Sequence, residues 1–155
     1  MDANLSLPER SIRTIAMAQS TQTARDDSPE ILGKIYQPSL NVAIWQRVLD
    51  SVVASYSIFL LEQHASFRIQ QIHNVSQIRS LLRNSLPDSN EKNAFIEDIA
   101  LVVDMFSFLF EADEIGLRLQ CVSAAPCPAF HNDRIPCRLL LTYHGAGSQW
   151  MDESN

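Results

Sequence analysis

Residues 90–112 decide the fold of this chain and read NEKNAFIEDIALVVDMFSFLFEA. Their apolar side chains recur three and four positions apart, which is the spacing of one buried helix face. These side chains are Phe95, Ile99, Val102, Val103, Phe106, Leu109 and Phe110. Asp88, three positions before Glu91, resembles the start of a capping box. The sequence therefore predicts a long helix that packs one face on a core.

Two aspartates, Asp98 and Asp104, lie among the apolar residues of this predicted helix. Charged side chains on a helix are usually a solvated face, and that is how we interpret both residues. The alternative is that they lie near a functional site.

The rest of the chain predicts an α+β domain. Two more helices are expected at 46–63 and 75–86, and strands at 31–36, 42–45, 66–73, 117–122 and 135–143. Because helices dominate the first two thirds and strands the last third, we expect helices packed on a mainly antiparallel sheet. Residues 1–30 are polar and predict a flexible tail, so residues 31–155 form the single domain.

The late stretch 127–150 holds the residues with potential metal chemistry. His131 and Asp133 are two positions apart, so in an extended chain their side chains leave the same face. An imidazole and a carboxylate are two of the three ligands in the two-histidine, one-carboxylate arrangement of non-haem Fe(II). The alternative is a histidine at a strand edge that bonds to a neighbouring Asp.

The chain has three cysteines, Cys121, Cys127 and Cys137, and all of them lie late. Cys127, His131 and Cys137 are acceptable Zn(II) ligands, although their spacing matches no compact zinc finger. Free cysteines are also commonly small buried hydrophobic residues. An odd number of cysteines is not a disulfide framework and predicts a reducing, cytoplasmic compartment.

The late motif also resembles a known family. The matching residues are Cys127-Pro128, Phe130-His131, Asp133, Arg138-Leu139, Thr142-Tyr143, Gly145, Gly147 and Trp150, with Ser148 where the family usually has Thr. Ala43-Ile44-Trp45 and the stretch from Asp98 to Phe106 agree as well. On these residues, the chain resembles, from about position 31 to position 150, the bacterial family called domain of unknown function 1826.

The resemblance carries no established activity, and it implies a link with metal homeostasis, particularly of zinc. The His-x-Asp pair of the family is similar to the ligands of Fe(II)/2-oxoglutarate oxygenases. The late strands would then resemble the start of a double-stranded β-helix. A later His-Arg-Ser-Pro-like segment of the family is missing here, so the resemblance implies a domain that lacks its C-terminal part.

The charge of the chain narrows the classes of partner that it can bind. The net charge of −6 and a pI of about 5.1 argue against a nucleic-acid or anionic-membrane surface. We predict a metal-binding, oxygenase-like protein with Fe(II) or Zn(II) at His131, Asp133 and Cys127. Arg138, or alternatively Arg134, would hold a carboxylate of a small-molecule co-substrate. The alternatives are a non-catalytic zinc-binding protein and an inactive family member that self-associates through an exposed sheet edge.

Overall fold

The computed structural model describes residues 22–124, 129–131 and 134–150. Within these ranges the regular elements follow one another in a mixed α and β order. They are β1 (Gln22–Asp26), a 3-10 helix (Pro29–Tyr36), β2 (Leu40–Trp45), α1 (Ser51–Gln63), β3 (Arg68–Asn74), a 3-10 turn (Val75–Gln77), α2 (Ile78–Ser85), α3 (Lys92–Phe110) and β4 (Glu114–Gln120). The predicted α+β class is confirmed.

The described strands form two separate two-stranded sheets. β1 and β2 pair in parallel, with Thr23 opposite Val42 and Asp26 opposite Trp45. β3 and β4 pair antiparallel, with Ile69 opposite Leu119. The expectation of a mainly antiparallel sheet therefore holds for the second sheet and is wrong for the first.

The core lies where α1, α2 and α3 meet one face of β3. Its fully buried side chains are Tyr56, Ile78, Leu82, Phe95 and Ile96. The ring of Tyr56 lies 4.8 Å from that of Phe95, and its hydroxyl donates a hydrogen bond of 2.7 Å to the carbonyl of Pro87. The single polar atom of this ring is thus satisfied inside the core, as a buried hydroxyl requires.

The predicted helix at 90–112 is confirmed as α3, and its ends have local causes. Glu111 adopts the left-handed conformation (φ 49°), and the amide of Ala112 donates to the carbonyl of Ser107 at 3.0 Å. This geometry terminates the helix before Gly116 is reached. At the start, Asp88 accepts from the Lys92 ammonium at 2.8 Å and caps no backbone amide in the described hydrogen bonds, so the capping-box prediction is wrong.

The other helix predictions are right in type and shifted in extent. α1 begins only at Ser51, because the Asp50 carboxylate accepts from the Val52 amide at 2.8 Å and caps the helix there. The preceding residues 46–50 have no regular secondary structure, and Val48 is 99% exposed. The helix predicted at 75–86 divides into the 3-10 turn and α2.

Two strand predictions are wrong. Residues 31–36 belong to the 3-10 helix Pro29–Tyr36, where Pro29 supplies a suitable first residue. Residues 135–143 form no strand, and the described residues contain no double-stranded β-helix. Pro136 removes one backbone donor, and Leu140 is 62% exposed, so this run is not the strand buried on both faces that its composition predicted. β1 in turn occupies part of the stretch that its polar composition assigned to a tail.

Candidate functional site

His131 lies in an irregular part of the late stretch, and its side chain is exposed. Its Nδ1 lies 3.0 Å from the carbonyl oxygen of Ala129. A carbonyl can only accept, so this hydrogen bond requires the proton on Nδ1 and leaves Nε2 as the basic nitrogen. Metal-binding histidines commonly have the same arrangement, in which a backbone carbonyl fixes the tautomer.

The other ligands predicted at this site cannot be placed. Cys127 and Asp133 lie outside the described residues, so their distances to His131 are not part of the structure. Among the residues that are described, no group of three His, Cys, Asp or Glu side chains could hold a metal ion. Cys127, Asp133 and the Fe(II) or Zn(II) ion therefore remain predictions.

Arg138 and Cys137 follow His131 in the chain, and Cys121 precedes it. The Arg138 side chain is exposed, which is compatible with binding a carboxylate from solution. Cys121 and Cys137 are free thiols of intermediate exposure, and burial raises the pKa of both. Unless a cation or a metal compensates, these two thiols stay protonated at neutral pH.

A second polar cluster lies where residues 134–150, which we call the late segment, contact α3. Arg47 donates to Oδ2 of Asp98 at 2.5 Å, and the Tyr143 hydroxyl donates to the same oxygen at 2.7 Å. The Arg47 and Asp98 side chains are only 14% and 15% exposed. We call these three residues the Asp98 clasp. It joins the loop before α1, the middle of α3 and the late segment at one carboxylate.

The Asp98 clasp packs against aromatic rings. The Tyr143 ring packs 4.6 Å from that of Phe95, and the Arg47 guanidinium lies 5.2 Å from the ring of Trp45. Burial, and then the hydrogen bond to Asp98, raise the pKa of Tyr143 far above its ordinary value. Tyr143 is therefore a neutral hydrogen-bond donor at physiological pH, not a phenolate.

A second contact fastens the end of the late segment. The Arg25 guanidinium of β1 lies 4.9 Å from the ring of Trp150, within cation-π distance. Trp150 and Tyr143 thus hold a segment without regular structure against β1 and α3.

Several of these residues belong to the sequence pattern noted above: Trp45, Asp98, Tyr143 and Trp150. The family model described as "Protein of unknown function (DUF1826)" matches residues 26–155. The chain belongs to the DUF1826 family. The predicted resemblance is confirmed over most of the chain.

Membership of DUF1826 supplies no activity, because the family is defined as one of unknown function. No curated protein and no solved structure matches the chain. Within the described part of the chain, no helix has both the length and the apolar character needed to cross a membrane.

Sequence reasoning proposed His131, which stays a prediction, and missed the Asp98 clasp. The prediction that Asp98 lies on a solvated face is wrong, whereas Asp104 is exposed and pairs with Arg79 at 3.0 Å, as a surface carboxylate does. Arg47 and Tyr143 were not singled out as partners of Asp98. The available signal was that Trp45, Asp98 and Tyr143 all lie in stretches that match DUF1826.

Proposed function

We propose that this DUF1826 protein binds a divalent transition-metal ion through His131 and Asp133, with Cys127 as a further ligand. The observation that carries the proposal is the hydrogen bond from Nδ1 of His131 to the Ala129 carbonyl, because it sets Nε2 as the basic nitrogen. Asp133 follows two residues later and supplies the carboxylate that divalent ions prefer beside an imidazole.

The first form of this proposal is Fe(II)/2-oxoglutarate-oxygenase-like chemistry. When bound, Fe(II) would supply the redox centre with open positions that a histidine and a carboxylate leave free. Arg138, an exposed guanidinium five residues after Asp133, would hold the carboxylate of a co-substrate in a bidentate manner. A further protein ligand is needed to complete the three-ligand set.

The second form is non-catalytic zinc binding by Cys127, His131 and Cys137. The observation that favours it is that Cys137 is a free thiol and that, like His131, it lies outside the described strands. Thiolate and imidazole are the ligands that Zn(II) prefers, and zinc binding would release the thiol protons. Such a site requires reduced cysteines and is consistent with a cytoplasmic protein.

Titration of the metal-free protein with Fe(II) under anaerobic conditions, and separately with Zn(II), tests both forms. We expect uptake near one equivalent by the wild type, and its loss in His131→Ala. Loss in Asp133→Ala is expected of the first form, in which Asp133 is a ligand, and not of the second. His73→Ala is the matched control, because His73 lies on β3 and bonds to Gln71 there. Equal uptake by wild type, His131→Ala and Asp133→Ala would refute the proposal.

The cysteine variants separate the two forms. If zinc binding is lost in Cys127→Ser/Cys137→Ser while Fe(II) binding is weak in the wild type and in all variants, the zinc-binding form of the proposal is supported. If this double variant retains Fe(II) uptake that depends on Asp133, the oxygenase-like form is supported. Consumption of 2-oxoglutarate that is lost in Arg138→Ala would then identify the co-substrate.

A further inference from the structure

The late segment 134–150 keeps a defined path without a strand or a helix of its own. No backbone ladder connects it to either sheet among the described strands, and most of its side chains are exposed. Such a segment opens easily unless individual side chains hold it. Tyr143 is a partly buried aromatic side chain of this segment that packs on the core and donates a hydrogen bond to the Asp98 carboxylate of α3.

We propose that Asp98 is the positioning residue of the late segment: by accepting a hydrogen bond from Tyr143, it fixes the segment on α3 and thereby sets the loop that carries His131. The effect on metal binding rests on the proposed function. The effect on the conformation of the segment does not.

The rigidity of α3 is the first support for this role. Asp98 lies between buried positions of that helix, with Ile96, Ile99 and Ala100 all packed in the core. Its carboxylate therefore has a position set by the most extensively packed element of the fold. A hydrogen bond to such a group confines its partner more than a bond to a mobile loop would.

Arg47 is the second support. Its guanidinium donates to the same Oδ2 that Tyr143 uses, and it lies over the Trp45 ring. Arg47 and Tyr143 thus converge on one carboxylate oxygen, and hydrogen bonds to a carboxylate are stronger than those between neutral groups. Arg47 is therefore positioned to strengthen the bond that Tyr143 donates.

The position of Tyr143 within the segment is the third support. Tyr143 lies twelve positions after His131, with Cys137 and Arg138 between them. All the described residues proposed to bind metal or co-substrate thus lie on the same side of this anchor. A local opening at Tyr143 releases the chain that follows the metal loop.

A catalytic role for Tyr143 fits the geometry less well. Its hydroxyl proton is directed to Asp98, and its ring is covered by Phe95. An acid or base that acts on a substrate needs to reach that substrate within hydrogen-bond distance. The geometry points to Tyr143 as an anchor.

Limited trypsin digestion of the full chain, with cleavage after Arg134 and Arg138 followed by mass spectrometry, and Zn(II) titration together test the proposal. The variant is Tyr143→Phe, which keeps the ring on Phe95 and removes only the hydroxyl. The matched control is Tyr36→Phe, because the Tyr36 hydroxyl also donates to α3, at the carbonyl of Leu109, and Tyr36 also stacks on a phenylalanine, Phe110.

In Tyr143→Phe we expect cleavage after Arg134 and Arg138 to accelerate about tenfold, as the loss of a hydrogen bond to a charged group implies. Cleavage after Arg83 in α2 should stay unchanged. Zn(II) affinity should fall about tenfold, and Tyr36→Phe should show neither effect. If Tyr143→Phe fails to fold, Asp98→Asn serves instead, with the same expected changes in cleavage and affinity.

Unchanged cleavage in 134–150 overturns the proposal. So does faster cleavage with an unchanged Zn(II) affinity, because the segment would then not set the metal loop. If the wild type binds neither Zn(II) nor Fe(II), the proposed function fails. Cleavage alone then decides whether Asp98 positions the segment, with acceleration supporting that role and its absence refuting it.

Discussion

The hydroxyl of Tyr143 donates to Oδ2 of Asp98 at 2.7 Å, although 45 positions separate the two residues in the chain. The same oxygen accepts from Arg47, which is 51 positions away on the other side. One carboxylate of α3 thus joins three distant parts of the sequence. Because both charged side chains are mostly shielded from water, removing one partner destabilises the protein more than breaking a surface ion pair does.

Replacement of Asp98 by alanine should lower the free energy of unfolding by about 2–3 kcal/mol, because it leaves Arg47 and Tyr143 without their acceptor. Urea denaturation at neutral pH measures the change. The control is Asp104→Ala on the same helix, whose exposed pair with Arg79 should contribute less than about 1 kcal/mol. Equal losses in both variants would show that the Asp98 clasp has no special weight.

Phe95→Ala should lower the free energy of unfolding by about 3–5 kcal/mol, since it opens a cavity in the core between Tyr56 and Tyr143. Phe108→Ala is the matched variant on α3, because Phe108 is 87% exposed. That variant should differ from wild type by about 0.5 kcal/mol or less. Thermal melts of the two variants side by side give the comparison, and a Phe108→Ala loss as large as that of Phe95→Ala would contradict the packing of α3.

Asp50→Ala should destabilise the protein by about 1 kcal/mol, because the Asp50 carboxylate accepts from the Val52 amide at the start of α1. Asp50→Ser should retain most of the stability, since serine also caps helices well. Helical circular dichroism and the denaturation midpoint report the difference. A serine variant no better than the alanine variant would argue that another group starts α1.

Tyr56 makes the stability of the fold sensitive to alkaline pH. Burial raises its pKa from 10.0 to about 12, so between these two values the folded protein holds a proton that the unfolded chain has lost. The contribution is fully present below pH 10 and is lost as the pH rises toward about 12. We expect denaturation midpoints to fall over this window, and to fall less steeply in Tyr56→Phe. Parallel slopes in both proteins would contradict the buried hydroxyl.

The thiols of Cys121 and Cys137 should react slowly with iodoacetamide at neutral pH, because burial raises the pKa of both. Peptide mass spectrometry of the alkylated protein measures each rate, with the urea-unfolded chain as the reference. Rates equal to those of the unfolded chain would show that burial does not protect them. Added Zn(II) that slows Cys137 but not Cys121 would in addition support the zinc-binding form of the proposed function.

How much of this fold the sequence predicted depends on how local each cause is. The helix α3 was predictable because its apolar residues repeat with the helical period over five turns. β3 was predictable from its strand-compatible composition and alternation. The strand prediction at 135–143 was wrong because a continuous apolar stretch looks the same in a buried strand and in an irregular segment that a few aromatic side chains hold in place.

The candidate site divides in the same way. The sequence by itself determined which residue types can bind a metal, and His131 could be chosen from its neighbours in the chain. It also determined the α+β class, through periodicity and capping that act over a few residues. Only the tertiary structure decided that the Asp98 side chain is shielded from solvent and accepts hydrogen bonds from Arg47 and Tyr143. The physical reason is that these contacts close loops of more than forty residues, and no local pattern encodes which distant donor a carboxylate will meet.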